Sequence, residues 1–187
     1  MENYFKECFK EILSQIKDYD IREKTLKTWI VAAKEGGWTK PEELEKMPFT
    51  LLTDCRGINL IEHTIAVTKG AVGLARAIES SYKPPFEINY DFLWAGGLLH
   101  DVGKLTEFEL VDGQYRKSFA GKCTRHPISG AILAAKNGLP NEIINIIGCH
   151  AKEGDGRPKR IETILIHQAD FATFDPMVML RSDTLIV

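Results

Sequence analysis

The chain has 187 residues, 44% hydrophobic and 27% charged, with 24 Lys+Arg against 26 Asp+Glu for a formal charge of −2. That length fits one domain, and the apolar content excludes a disordered chain. Near-neutrality argues against electrostatic capture of nucleic acid or an anionic membrane. The longest apolar run, Phe92 to Leu99, has eight residues, far short of the ~20 of a membrane-spanning helix. The amino terminus carries acidic residues early and lacks the apolar stretch of a signal peptide. These features predict a soluble cytoplasmic protein. Cys8, Cys55, Cys123 and Cys149 are widely spaced with no CxxC pair, so free thiols are expected rather than a disulfide framework.

In chain order, Phe5, Cys8, Phe9, Ile12, Leu13 and Ile16 form one helical stripe. A second helix is expected from about Arg22 to Glu35, ended by Gly36-Gly37, and a short third with Thr39 as N-cap and Pro41 in its first turn. A long helix follows from about Asn59 to Ser80, broken by the turn-rich stretch Ser80 to Pro85. A very apolar helix then spans roughly Tyr90 to Val102, with Gly103 able to end it and free Lys104 to fold back. Between Glu107 and Phe119 the pattern changes to a hairpin about Asp112-Gly113, long enough to form a partial lid. Helical pattern resumes over Pro127 to Lys136, Asn141 to His150 and Ile161 to Phe174. The predicted class is all-α with a small β-hairpin insertion.

Five histidines carry the chemical signal: His63, His100, His126, His150 and His167. His100 is followed at once by Asp101, inside LLHDVGKL. Adjacent helical residues point about 100° apart, so the two side chains do not face a single ion together. The imidazole can hold one ion while the two carboxylate oxygens bridge to another. A carboxylate among Leu98, Leu99, Val102 and Leu105 also needs a cation or hydrogen-bond partners. Each residue has a blander reading: a packed core histidine for His63, an N-cap neighbour for His126, a dipole-stabilised helix end for His150, and a buried hydrogen bond for Asp170. His167, three residues before Asp170, reads as a supporting residue, and Cys149 as inert packing.

In order, His63, His100-Asp101, His126, His150 and Asp170 resemble the HD-domain superfamily of metal-dependent phosphohydrolases. LLHDVGKL is similar to its HD-x-GK motif, RHPISGAILA to the His-Pro element of two-metal members, and HQADFATFD to its closing helix. The resemblance covers about residues 58 to 176 and implies an HD-domain helical bundle as core over 58–187, with residues 1–57 an N-terminal helical extension packed on it. It implies that His63, His100, Asp101 and Asp170 hold a first divalent ion, and that Asp101 bridges to a second held by His126 and His150. The mixed ligands suit Fe, Mn, Co, Ni or Zn. It assigns Asp101 and Lys104 to catalysis, with Lys104 and Arg125 contacting phosphate. Lys152, Arg157, Lys159 and Arg160, in the loop after His150, are candidates for recognising an anionic substrate, Arg157 foremost.

Of the HHExxDGxGYP element of the HD-GYP branch, only the first His and the Asp-Gly are present, as His150 and Asp155-Gly156. Asn59 stands where some members carry a further acidic ligand, so a third metal is not expected. The implied activity is hydrolysis of a phosphomonoester or phosphodiester of a nucleotide or related small molecule by metal-activated water. Two alternatives share the scaffold: an inactive domain that senses metal or nucleotide, and a di-iron oxygenase. The amino-terminal helices either form a homodimer interface or cap the core.

Overall fold

The computed structural model describes residues 1–186; Val187, the last residue of the expected core, lies outside them. Ten α-helices and one two-stranded hairpin follow in order: α1 (Glu2–Leu13), α2 (Tyr19–Glu35), α3 (Pro41–Glu45), α4 (Leu60–Ser81), α5 (Tyr90–Leu99), α6 (Lys104–Glu107), β1 (Phe108–Val111), β2 (Gln114–Lys117), α7 (Phe119–Cys123), α8 (His126–Lys136), α9 (Asn141–Cys149) and α10 (Ile161–Arg181). A 3₁₀ turn spans Lys152–Gly154. The all-α class with a small β insertion is what the structure has.

Helix α5 runs through the centre: all residues from Leu93 to Leu99 are buried, and α2, α4, α9 and α10 pack around it. This explains its apolar character on every side. Its N-terminus is capped by the Asn89 side chain, which accepts from Phe92 N at 3.1 Å. Two glycines let neighbours approach, since a Cβ on Gly96 would stand 2.6 Å from Ile146 and one on Gly97 2.8 Å from Thr68.

The amino-terminal helices close one side of this core. Phe5, Phe9 and Trp29 cluster with ring centroids 4.9–6.2 Å apart. The Trp29 indole N–H donates to Leu98 O at 2.9 Å, and that of Trp38 to Leu105 O at 2.6 Å. Two indoles therefore satisfy carbonyls flanking the His100-Asp101 segment. In the hairpin, Val111 pairs with Gln114 across Asp112 and Gly113, both at positive φ (51° and 76°), as a two-residue turn requires. Tyr115 Oη donates to Glu43 O and its ring stacks on Trp38, so the hairpin is fastened to the amino-terminal segment rather than standing free as a lid.

Several boundaries differ from the sequence expectation. Helix α3 begins after Lys40, with Thr39 one residue outside; Glu43 Oε2 accepts the Lys40 N–H at 3.3 Å. Helix α10 runs past Phe174 and through Pro176 to Arg181. Thr53 Oγ1 donates to Met177 O at 3.3 Å and Arg181 to Leu52 O at 2.6 Å, so loop 50–53 steadies the added turns. The short helices α6 and α7 were not anticipated; neither is long enough for periodicity to register. Helix α5 stops at Leu99 rather than Val102, for a reason that belongs to the site.

Candidate metal centre

His100 ends α5 by replacing a backbone hydrogen bond. Its Nδ1 donates to Gly97 O at 2.7 Å, the carbonyl that Asp101 N–H would take were the helix continued. His150 ends α9 in the same way, with Nδ1 donating to Ile147 O at 2.8 Å. In both rings this engages Nδ1 and turns Nε2 inward. The Nε2 atoms leave the helix ends into one buried space, the rings 5.1 Å apart and nearly perpendicular.

His63 comes from the first turns of α4, where Asn59 and Glu62 form a reciprocal capping box. Phe49 stacks on its ring at 4.3 Å. Its Nε2 lies 3.3 Å from Asp101 Oδ2 and 3.1 Å from Asp170 Oδ1. His126 opens α8 ahead of Pro127, a favoured first-turn residue. Gly103 brings that helix against the HD segment, because a Cβ there would stand 2.1 Å from His126 O. The His126 Nε2 reaches to 3.3 Å from Asp101 Oδ1, and His150 Nε2 to 3.8 Å from the same oxygen.

Asp101 thus sits at the middle, one oxygen toward His63 and the other toward His126 and His150. Burial would raise its pKa, but Lys104 and His100 overcome that and hold it well below the usual carboxylate range. Asp170 behaves alike: burial opposes ionisation, His63 favours it, and the carboxylate stays ionised. Lys104 Nζ donates to Asp101 Oδ2 and to Phe49 O, both at 2.6 Å.

Two sets of donors, each within 4.8 Å of one another, could hold an ion: His63, His100, Asp101 and Asp170, and Asp101, His126 and His150. The fit is tested by atoms that nothing else satisfies. The Nε2 atoms of His63, His100 and His150 and Oδ1 of Asp101 are buried without a hydrogen-bond partner. Leaving four such atoms unpaired in one place is costly. A divalent cation accepts lone pairs from imidazole nitrogens and carboxylate oxygens alike, the mixed donor set gathered here. The residues fit the group.

The structure brings together all six expected ligands, and it sorts the expected phosphate contacts. A cavity of about 220 Å³ opens beside Asp170 and His126, with Lys104, Lys117, Arg125 and Lys152 on its wall and Phe49, Phe171 and Phe174 opposite in chemical character. Arg125 faces it while paired with Glu153 at 3.2 Å. Arg157 is exposed and outside the lining. Lys159 pairs with Asp155 at 3.8 Å, and Arg160 with Glu162 at 2.9 Å, over the Phe92 ring. Of the four basic residues in that loop, only Lys152 lines the cavity.

Sequence reasoning missed Glu107, whose Oε2 accepts both the backbone N–H (2.6 Å) and Nδ1–H (2.8 Å) of His126. It also missed Phe49. His167 Nδ1 donates to His150 O, a supporting contact. Cys149 Sγ is near Asn145 Nδ2 at 3.9 Å and belongs to neither ligand set.

Residues 60–172 match the HD domain family. The chain belongs to the HD domain family. It is 36% identical over 115 residues to the dihydroneopterin 2',3'-cyclic phosphate phosphodiesterase of Methanocaldococcus jannaschii, covering 60% of this chain and 45% of that protein. It is 39% identical over 74 residues to ribonuclease Y of Desulfotalea psychrophila (40% of this chain, 12% of that one). Ribonuclease Y of Thermotoga maritima is 32% identical over 114 residues (61% and 18%). The aligned region spans less than half the length of each of these curated relatives. No solved structure gives a significant match. Among the described residues, no helix is long and apolar enough to cross a membrane.

Proposed function

We propose that this HD domain is a phosphohydrolase with a dinuclear metal centre, cleaving a small nucleotide-like phosphate ester. The observation that carries the reading is the set of unsatisfied inward-facing atoms around Asp101, joined to a cavity walled by cations. The relative named as a cyclic phosphate phosphodiesterase supports the same reaction class.

His63, His100, Asp101 and Asp170 would hold one divalent ion, and Asp101, His126 and His150 the other. When bound, such a pair supplies Lewis acidity and a water of lowered pKa. The protein's own part is positioning and charge. Asp101 spans both halves through separate oxygens. Lys104 keeps that carboxylate ionised and faces the cavity, where it can also meet a phosphoryl oxygen. Arg125 and Lys152 on the rim attract and orient the anion. Phe49 and Phe171, each edge-to-face with Phe174, form with it an apolar surface for a flat organic group to lie on.

The test is hydrolysis of bis-p-nitrophenyl phosphate and a panel of mono-, di- and cyclic phosphates by Mn²⁺-loaded protein under anaerobic conditions. Turnover without oxygen that disappears in Asp101→Ala supports the reading. Turnover only with oxygen would favour the oxygenase, and metal binding without turnover the sensor.

A further inference from the structure

We propose that Glu107 is a positioning residue for the His126–His150 half of the centre, holding His126 in the tautomer and orientation that present its Nε2 to a second divalent ion. This inference rests on the dinuclear reading above.

The four inward-facing imidazoles differ in what holds their far nitrogens. His100 and His150 donate Nδ1–H to carbonyls of their own helices, and His63 Nδ1 lies 3.3 Å from the Thr173 hydroxyl. Only His126 is held by a carboxylate. A charge-assisted bond to Nδ1 makes the opposite nitrogen a stronger donor to a metal. It serves the half with the fewer protein ligands, three against four. There each ligand must contribute more.

Glu107 is itself held on several sides. Its carbonyl accepts Ser118 N at 2.9 Å and lies where a Cβ on Gly121 would stand 2.2 Å away, so α7 closes over it without room to shift. One carboxylate oxygen takes both His126 donors; the other faces Lys117 Nζ at 3.2 Å. Lys117, at the end of β2, also lines the cavity. The hairpin therefore supports the second half through the chain Lys117–Glu107–His126. This gives a purpose to an insertion that is too firmly fastened to act as a flap.

The experiment is calorimetric titration of metal-free protein with Mn²⁺ for the unaltered chain, Glu107→Gln and Glu107→Ala, with circular dichroism to check folding. The unaltered chain is expected to show two binding events. In Glu107→Ala the weaker should lose about 10–100-fold in affinity while the tighter is unchanged. Glu107→Gln keeps the shape and a neutral acceptor, so it should fall between, and it carries the test if the alanine variant does not fold. Nitrogen NMR of the metal-free protein supplies a readout that packing alone would not move: His126 should be protonated at Nδ1 in the unaltered chain and lose that preference in Glu107→Ala. Two unchanged events in Glu107→Gln, or equal weakening of both, would overturn the proposal. Fewer than two events in the unaltered chain would instead overturn the dinuclear reading itself.

Discussion

Lys104 Nζ lies 2.6 Å from Asp101 Oδ2, so the shared carboxylate at the middle of the centre already has one cationic partner from its own chain. Both groups are buried, and the same ammonium bonds the Phe49 carbonyl from the amino-terminal segment. Removing one partner of such a pair leaves an uncompensated buried charge. Lys104→Met is therefore expected to destabilise the metal-free protein by about 3 kcal/mol. Mn²⁺ supplies replacement positive charge, so it should shrink the deficit in thermal melts. An equal deficit with and without metal would contradict this.

Asp101 is the only residue common to both ligand sets. Asp101→Asn should weaken both binding events, whereas His150→Ala should weaken one. Binding to the folded state raises stability with the logarithm of ligand concentration over Kd, so Tm rises further the tighter the binding. The Mn²⁺-induced rise should thus be largest in the unaltered chain, reduced in His150→Ala and nearly absent in Asp101→Asn, as read by scanning calorimetry.

The metal-free protein should lose stability on acidification in two windows. Burial pushes His126 down from 6.5 to about 4. Between those values the unfolded chain binds a proton that the folded one refuses, so this contribution is full above pH 6.5 and lost as pH falls to about 4. For Glu107, burial raises the pKa, but the bond to His126 and the Lys117 ammonium outweigh it and bring it from 4.5 to about 2. Its contribution is present above pH 4.5 and lost toward pH 2. For His63 burial lowers the pKa, but the Asp101 and Asp170 carboxylates beside it outweigh that and shift it upward, so its contribution is full below pH 6.5 and is lost as pH rises through the raised value. Urea midpoints of chelated protein across this range should show a shallower decline from pH 6.5 to 4 in His126→Asn, and from pH 4.5 to 2 in Glu107→Gln.

The cationic rim predicts a split between basic residues adjacent in sequence. Arg125→Ala and Lys152→Ala, on the cavity wall, should raise KM several-fold with a smaller change in kcat. Arg157→Glu and Lys159→Glu should leave both unchanged, since neither side chain lines the cavity. Steady-state kinetics on one phosphodiester decides the matter.

A single methyl group tests how the two halves meet. Gly103→Ala would put a Cβ 2.1 Å from His126 O and 2.7 Å from Gly130 N, both rigid backbone. The start of α8 must move, at a cost of about 1–3 kcal/mol. Mn²⁺ binding at the His126 half should weaken more than at the other, as measured by titration.

The six candidate ligand positions were legible because each falls where a helix starts, ends or turns an apolar face, and their order along the chain is a family signature. The reason His100 and His150 end their helices was less visible: a side chain three residues on takes a backbone carbonyl, which changes the boundary but leaves the apolar pattern intact. Glu107 could not be found. In sequence it is one acid among 26, beside a strand whose neighbour Glu109 is an ordinary surface partner of Arg116. Its burial is produced by α7, five residues packed through Gly121, and that contact has no sequence period. Arg157 shows the converse, since a basic residue near a candidate ligand in sequence, expected to meet an anionic substrate, lies outside the lining of the cavity.

The central claim is that the side chains around Asp101 hold a pair of ions. Anomalous diffraction from crystals grown with Mn²⁺ tests it most directly. The account predicts two peaks flanking the Asp101 carboxylate, one within bonding distance of His63, His100 and Asp170 and one of His126 and His150. No peak there in protein that still hydrolyses phosphodiesters in the presence of chelator would contradict it.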